Sequence, residues 1–424
     1  MITFPSGNFR GRVYRMPSHV SDKPYQFIPP HRGNFWPWVL KLYATRYVEK
    51  RFGITHLEYR GTEKLTESIK AGHGVLIAPN HCRWADPVVS MMLSKHIGKH
   101  FFIMASAHLF RDGWFTPWAI NRAGAFSVLR EGVDRAAVNT AIDILVSAER
   151  PLVIFPEGAI SRTNDHLMSL MEGVPFIARS AAKKRKKKNA NGTVVIHPVA
   201  FRYLFKGDLQ QTAEPVLDQI ETRLSWRPQR HLPMFDRIAN LGFALLSLKE
   251  MEYFGESQTG TLAERLEALI DRLLSPLEDK YLEGEHKHGG TGDAIPRVKA
   301  LRTSMLPDII EGKLSDEELE TRWREFEDID LAQQISLYPP DYIASNPTAD
   351  RILETIEKFE DNLSGENPPH PPMHVIINVG DAIEVEAKRR REPDGDPLLL
   401  SIESQIEQML GETANESPSF ESPR

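Results

Sequence analysis

The chain has 424 residues, 41% hydrophobic and 26% charged, an ordinary globular mix long enough for two or three domains or for one with a large insertion. A formal net charge of -6 excludes the overall basic character usual in nucleic-acid binders. The single cysteine, Cys82, excludes an internal disulfide and fits a reducing compartment.

Residues 1–34 are rich in Pro, Gly and Arg and predict an irregular arm with no apolar stretch of signal-peptide length. No window holds the roughly 18 consecutive apolar residues of a spanning helix, so the expectation is a cytoplasmic protein, at most peripherally attached to a membrane. FWPWVLKLYATRYVEKRFG (35–53) predicts an amphipathic helix. Its aromatic residues Phe35, Trp36, Trp38, Tyr43 and Tyr47 and its cations Lys41, Arg46, Lys50 and Arg51 suit an interfacial helix, or one packed on the protein's own core.

From 54 to about 204 short apolar runs alternate with helical stretches. The runs are GVLIAPN (74–80), HFFIMA (100–105), GAFSVL (124–129), PLVIFPEG (151–158) and TVVIHPVAF (193–201), and 133–149 reads as a helix. The pattern predicts an α/β fold, a mixed sheet with helices on both faces. Residues 35–204 are then the core, and sites in such sheets cluster in the loops past strand ends. The basic run KKRKKK (183–188) predicts a solvated loop after a helix, or a contact with anionic lipid headgroups. Helical periodicity over 261–282, 313–329 and 349–363 predicts a large all-helical insertion spanning 205–370. GEHKHGGTGD (284–293) and NPPHPP (367–372) read as linkers. Residues 371–411 supply a strand, HVIINVG (374–380), and a helix that complete the core. Residues 412–424 predict a disordered tail.

The chemistry starts at Asn80-His81-Cys82-Arg83-Trp84-Ala85-Asp86-Pro87, directly after an apolar strand. Across a tight turn, Asp86 can hold one imidazole nitrogen of His81 as N–H and leave the other as a proton acceptor, the equipment of a general base. Asp86-Pro87 is equally a good start for the next helix, and 15 His make roughly one chance His-x4-Asp pair. A second copy, His231 and Asp236, follows no strand and serves as a decoy. Phe155-Pro-Glu157-Gly158-Ala-Ile-Ser161-Arg162 again follows an apolar strand. Gly158 lets backbone N–H groups approach an anion, Arg162 suits a phosphate, and Glu157 can accept from a hydroxyl or orient an arginine. Arg130 ends GAFSVLR. Together these residues predict a site for an anionic acceptor with a nearby hydroxyl, holding no metal.

In these blocks the chain resembles the glycerolipid acyltransferase family, typified by lysophosphatidic acid acyltransferases. NHCRWAD matches the family's Asn-His-x4-Asp block, and GAFSVLRE resembles the second block, whose Arg binds the acceptor phosphate. FPEGAISR resembles the third block, and IHPVAF, with Pro198, the fourth, all in the family order. The resemblance implies His81 and Asp86 as catalytic residues, with Arg130, Glu157, Gly158 and Arg162 binding the acceptor. Asn80, Ser161 and Pro198 support them. It implies an acyl-CoA or acyl-carrier-protein donor, a lysolipid acceptor on a membrane lipid surface, no cofactor, no nucleic acid, and direct transfer. 1-Acylglycerol 3-phosphate leads as acceptor, ahead of glycerol 3-phosphate or another lysolipid. Ala159 and Ile160 depart from the family's Thr-Arg, so one phosphate contact is absent. Rival readings are a phosphoester hydrolase on the same His/Asp pair and a non-catalytic membrane-bound scaffold.

Three side features carry less. Cys82 beside the base is a poor nucleophile, because neighbours in sequence seldom point at one another. His286 and His288 suit a solvated loop better than a metal site. Trp114 and Trp118 line an acyl groove or pack in a core.

Overall fold

The computed structural model describes residues 25–111, 113–129, 134–188, 192–282, 294–310, 313–364, 367–388 and 395–420. The run GVLIAP becomes a strand, β2 (Gly74–Pro79), buried at every position, as an inner strand covered on both faces must be. Around it lie β1 (Ile54–Arg60), β3 (Phe102–Ser106), β4 (Ala125–Val128), β5 (Leu152–Val153), β6 (Val194–Phe205), β7 (Met373–Val379) and β8 (Ile383–Glu384). The sheet order is β1-β7-β6-β2-β5-β3-β4, with β8 on β6. Pairing is parallel from β6 through β2, β5, β3 and β4, and parallel between β1 and β7. It is antiparallel where β7 and β8 meet β6, so the sheet is mixed.

Alternation along β6 sets its two faces. Val195, Val199, Phe201, Tyr203 and Phe205 enter one apolar core. Val194, Ile196 and Ala200 enter the other. The first face is covered by α1 (Phe35–Phe52), α2 (Thr62–Lys70), α3 (Asp86–His96), α7 (Leu209–Arg223), α8 (Met234–Phe254) and α13 (Ala349–Ser364). The second is covered by α5 (Arg135–Ser147), α6 (Gly173–Lys187) and α14 (Pro397–Glu412). The short helices α4 (Phe115–Ala123) and α12 (Tyr342–Ser345) lie between these elements in sequence. The α/β class, with helices on both faces and a large helical addition, is as the sequence predicts.

The segment 205–370 does not stay together. Residues 259–336, with α9 (Leu262–Tyr281), α10 (Ala294–Ile310) and α11 (Asp316–Ser336), form a compact unit of their own. Its α9 opens on a capping box between Thr261 and Glu264, and buried Arg297 of α10 pairs with Glu278 and Asp271 of α9. The helices α7, α8 and α13 belong to the unit with the sheet, because Leu217, Ile220, Leu241, Ile352, Leu353 and Ile356 bury in its first core.

Other expectations also need correction. Residues 412–420 are not a loose tail: Ala349 N–H donates to Pro418 C=O, Phe420 N–H to Pro347 C=O, and the Ser417 hydroxyl to Asp350. The described residues of the arm, 25–34, hold no helix or strand, and they pack on the sheet: Ile28 N–H donates to Ser127 Oγ, Ser127 N–H donates to Ile28 C=O, and Phe27 packs edge-on against Phe126 of β4. The basic run is not a loop either. It forms the last turns of α6, where cations suit the helix dipole. Its Arg185 is buried and donates to the carbonyls of Leu145, Val146 and Gly72, so it caps the end of α5. His286 and His288 lie outside the described residues.

Candidate active site

The loop after β2 puts His81 and Asp86 at the carboxyl edge of the parallel strands, where α/β sheets open their clefts. His81 Nδ1 lies 2.8 Å from Asp86 Oδ2. The same oxygen accepts from the backbone N–H of Cys82 at 2.7 Å and of Arg83 at 2.9 Å. The Tyr203 hydroxyl donates to Asp86 Oδ1 at 2.6 Å. Four donors on one carboxylate leave it an acceptor, so Nδ1 carries the proton and Nε2 keeps its lone pair. Asp86 makes no side-chain cap on α3, where Ala85 is the N-cap; it folds back onto its own loop, as an orienting group would. The carboxylate is fully buried and the imidazole keeps 15% of its side-chain surface, enough to meet a substrate.

Phe155 stacks on the imidazole at 4.1 Å and 25°, fixing the ring plane. Asn80 ties the loop to β6, accepting from Phe201 N–H at 2.7 Å and donating to Phe201 C=O at 3.1 Å. Pro198 is buried in β6, registers with Ala78 of β2 and accepts from Gly380 N–H at 2.8 Å. It thereby joins the fourth block to the turn after β7.

The 155–162 block lies against the dyad loop. Glu157 accepts from His81 N–H with Oε1 and from Met168 N–H with Oε2, and is buried. Both oxygens therefore hold backbone, so Glu157 fixes the dyad loop rather than reaching an acceptor or an arginine. Burial raises its carboxyl to about 8 against the lowering pull of those two N–H groups. Gly158 sits at φ +71, in the left-handed region that favours glycine, and a Cβ there would lie 2.5 Å from the Met171 sulfur, so that side chain would have to move. Ser161 N–H donates to His81 C=O at 2.8 Å, and its hydroxyl donates to Thr163 C=O at 3.0 Å. Arg162, in the left-handed region at φ +64, is held by Asp361 of α13 at 2.5 Å. Arg130 lies outside the described residues.

Beyond the predicted residues, α13 sets a row of carboxylates beside the site. Arg83 pairs with Glu357 at 2.8 Å and Glu354 at 3.4 Å. Burial raises the Glu354 carboxyl to about 7, and Tyr342 donates to it and to Asp165. A cleft is lined by Arg51, Arg83, Trp84, Arg162, Glu354 and Glu357, among others. The Arg83 pairs with α13 are not visible in a motif, since each spans more than 270 residues of chain. Tyr203 had a signal: it continues the Phe201, Phe205 alternation just past the block with Pro198.

Several side readings are settled by geometry. Cys82 is buried, and desolvation with the Asp86 charge pushes its thiol well up, the opposite of an activated thiolate. No bond joins His231 to Asp236 among the described residues, and Asp236 sits in the first turn of α8. Among the described residues no cluster of three or more His, Cys, Asp or Glu is placed to hold a metal ion.

The helix α1 turns Pro37, Lys41, Ala44 and Val48 inward and leaves Phe35, Trp38, Leu42, Tyr43 and Tyr47 exposed. Lys41 is therefore no surface cation: it donates to Ser94 C=O at 3.1 Å and Lys99 C=O at 3.0 Å near the end of α3, and burial lowers it to about 8. Trp36 packs edge-on against Trp118 of α4, which brings exposed Trp114 and Phe115 next to that aromatic face. No helix among the described residues is long and apolar enough to cross a membrane.

A family model described as Acyltransferase matches residues 56–202. A 1-acyl-sn-glycerol-3-phosphate acyltransferase from Streptococcus pneumoniae (strain ATCC BAA-255 / R6) is 32% identical over 123 residues, covering 29% of this chain and 42% of that protein. The chain thus spans less than half of that relative's length. Residues 56–202 are thus similar to acyltransferase domains, and this stretch carries the four blocks and the bonded His81–Asp86 pair.

Proposed function

We propose that the protein transfers a fatty acyl group from an acyl thioester, of coenzyme A or of acyl-carrier protein, to the free hydroxyl of a lysophospholipid. 1-Acylglycerol 3-phosphate is the leading acceptor. The observation that carries this reading is the His81–Asp86 bond, which leaves Nε2 as a base at the open edge of the sheet. In the proposed step, Nε2 takes the acceptor hydroxyl proton as its oxygen attacks the thioester carbonyl. The C–O bond forms, the C–S bond breaks, and the imidazolium returns the proton to the departing thiolate. Asp86 stabilises the imidazolium, and general-base assistance of this kind contributes about 10²–10⁴-fold in rate.

Arg162 is the described arginine offered to the acceptor phosphate, with Arg130 as its proposed companion. The name of the streptococcal relative supports a 1-acylglycerol 3-phosphate acceptor. The exposed aromatic face of α1 and α4 supports attachment to a membrane surface, where such an acceptor resides. The test is a panel of lysophosphatidic acid, glycerol 3-phosphate, lysophosphatidylcholine and monoacylglycerol, each offered with one radiolabelled acyl-CoA and then one acyl-carrier protein. The reading expects label in phosphatidic acid first. Thioester consumption with no labelled lipid would refute it.

A further inference from the structure

The third-block arginine is already occupied. Arg162 binds Asp361, and among the described residues this is its one carboxylate partner. The pair differs from the other ion pairs that α13 makes around the site. Glu354 and Glu357 keep only 3% and 12% of their side-chain surface, whereas Asp361 keeps 32% and Arg162 20%. Arg83 has two carboxylates and Arg162 one, and its partner Asp361 is more open than Glu354 or Glu357. A single, partly exposed pair lacks the second carboxylate that holds Arg83, so an incoming phosphate can compete for it. Arg162 also follows Ser161, whose N–H is bonded to His81 C=O, so an anion gathered there lies next to the dyad loop.

We propose that Asp361 is an acceptor-specificity residue: in the free protein it occupies Arg162, and the phosphate monoester of the acceptor displaces it. This rests on the reading of Arg162 as the acceptor-phosphate ligand. Asp361 acts as a built-in competitor. It lowers affinity for weakly charged or zwitterionic headgroups that cannot displace it, and it links acceptor binding to the position of α13.

The experiment compares wild type, Asp361→Asn, Asp361→Glu, Arg162→Gln and the Asp361→Asn/Arg162→Gln double variant. The acceptor is lysophosphatidic acid and the donor acyl-CoA. Asp361→Asn should lower the KM for lysophosphatidic acid by about three- to tenfold, with the acyl-CoA KM and kcat within about twofold. Asp361→Glu should keep the wild-type value. Arg162→Gln should raise the acceptor KM and erase any effect of Asp361→Asn. If Arg162→Gln raises the acceptor KM while Asp361→Asn leaves it unchanged or higher, the competitor role is overturned and the phosphate reading stands. If Arg162→Gln leaves the acceptor KM unchanged, the phosphate reading fails, and the proposal with it.

Discussion

Asp86 shows how much one residue's surroundings decide. In sequence it is as good a helix start as a catalytic partner; in the fold its carboxylate collects His81, Cys82, Arg83 and Tyr203. Burial and the neighbouring Asp86 push the Tyr203 phenol well up, so it stays a donor. Tyr203→Phe should lower kcat by about three- to tenfold with the acceptor KM nearly unchanged, because one hydrogen bond to a charged group is lost from the orienting carboxylate and not from the binding surface. An unchanged kcat would show that this bond does not position the dyad. Asp86→Asn should be more severe, about 10²–10⁴-fold in kcat, since an amide favours the wrong tautomer.

Glu157 makes a pH prediction. Its folded-state carboxyl lies at about 8, above the ordinary 4.5, so the folded protein holds a proton that the unfolded chain releases. That contribution is complete below about pH 4.5 and is lost as pH rises through about 8. The Tm advantage of wild type over Glu157→Gln should therefore shrink between about pH 5 and about pH 8, measured by differential scanning fluorimetry. A difference that grows with pH would contradict the assignment. The dyad and Gly158 were legible because their spacing and their place after apolar strands are local. Glu157 was legible as a site residue but not in its role, since nothing in FPEG states which backbone groups its oxygens meet.

At the scale of elements, periodicity located the strands and helices but not their partners. KKRKKK illustrates the gap: six cations in a row look uniformly solvated, yet helical phase turns Arg185 inward onto the end of α5. Arg185→Ala should destabilise the fold by about 2–4 kcal/mol, because it strands buried carbonyls, and so lower Tm by several degrees. Lys184→Ala, on the exposed side, should leave Tm within about a degree. Equal effects from the two would mean that the inward contact carries no stability. Lys41 inverts in the same way, a cation in an amphipathic pattern that proves to cap α3. The aromatic face that remains outside α1 makes its own prediction. A Trp38→Ser/Tyr43→Ser variant should lose most sedimentation with anionic phospholipid vesicles while keeping its Tm, since both side chains are mostly exposed. Undiminished sedimentation would place the membrane contact elsewhere.

At the scale of the whole molecule, the sheet is completed by a strand far along the chain. The apolar run at 374–379 had no local partner, and its pairing with the core followed from the cost of unsatisfied backbone. It became β7, wedged between β1 and β6. What the sequence did not disclose is that 205–370 divides, sending α13 to Arg83 and Arg162 at the sheet edge and 259–336 to a separate unit. That division depends on which helical faces find apolar partners, which periodicity alone leaves open. A protein truncated near residue 210 loses the strand between β1 and β6 and should be recovered mainly as aggregate; a soluble, cooperatively melting product would contradict this account of the sheet.

The central claim, a His81–Asp86 base performing acyl transfer, is tested most directly by one comparison. The measurement is the initial rate of radiolabelled acyl transfer from acyl-CoA to lysophosphatidic acid by wild type and by His81→Ala at matched concentration and Tm. The account predicts product from wild type and a rate lower by at least about 10²-fold from His81→Ala. Equal rates from the two proteins would contradict it.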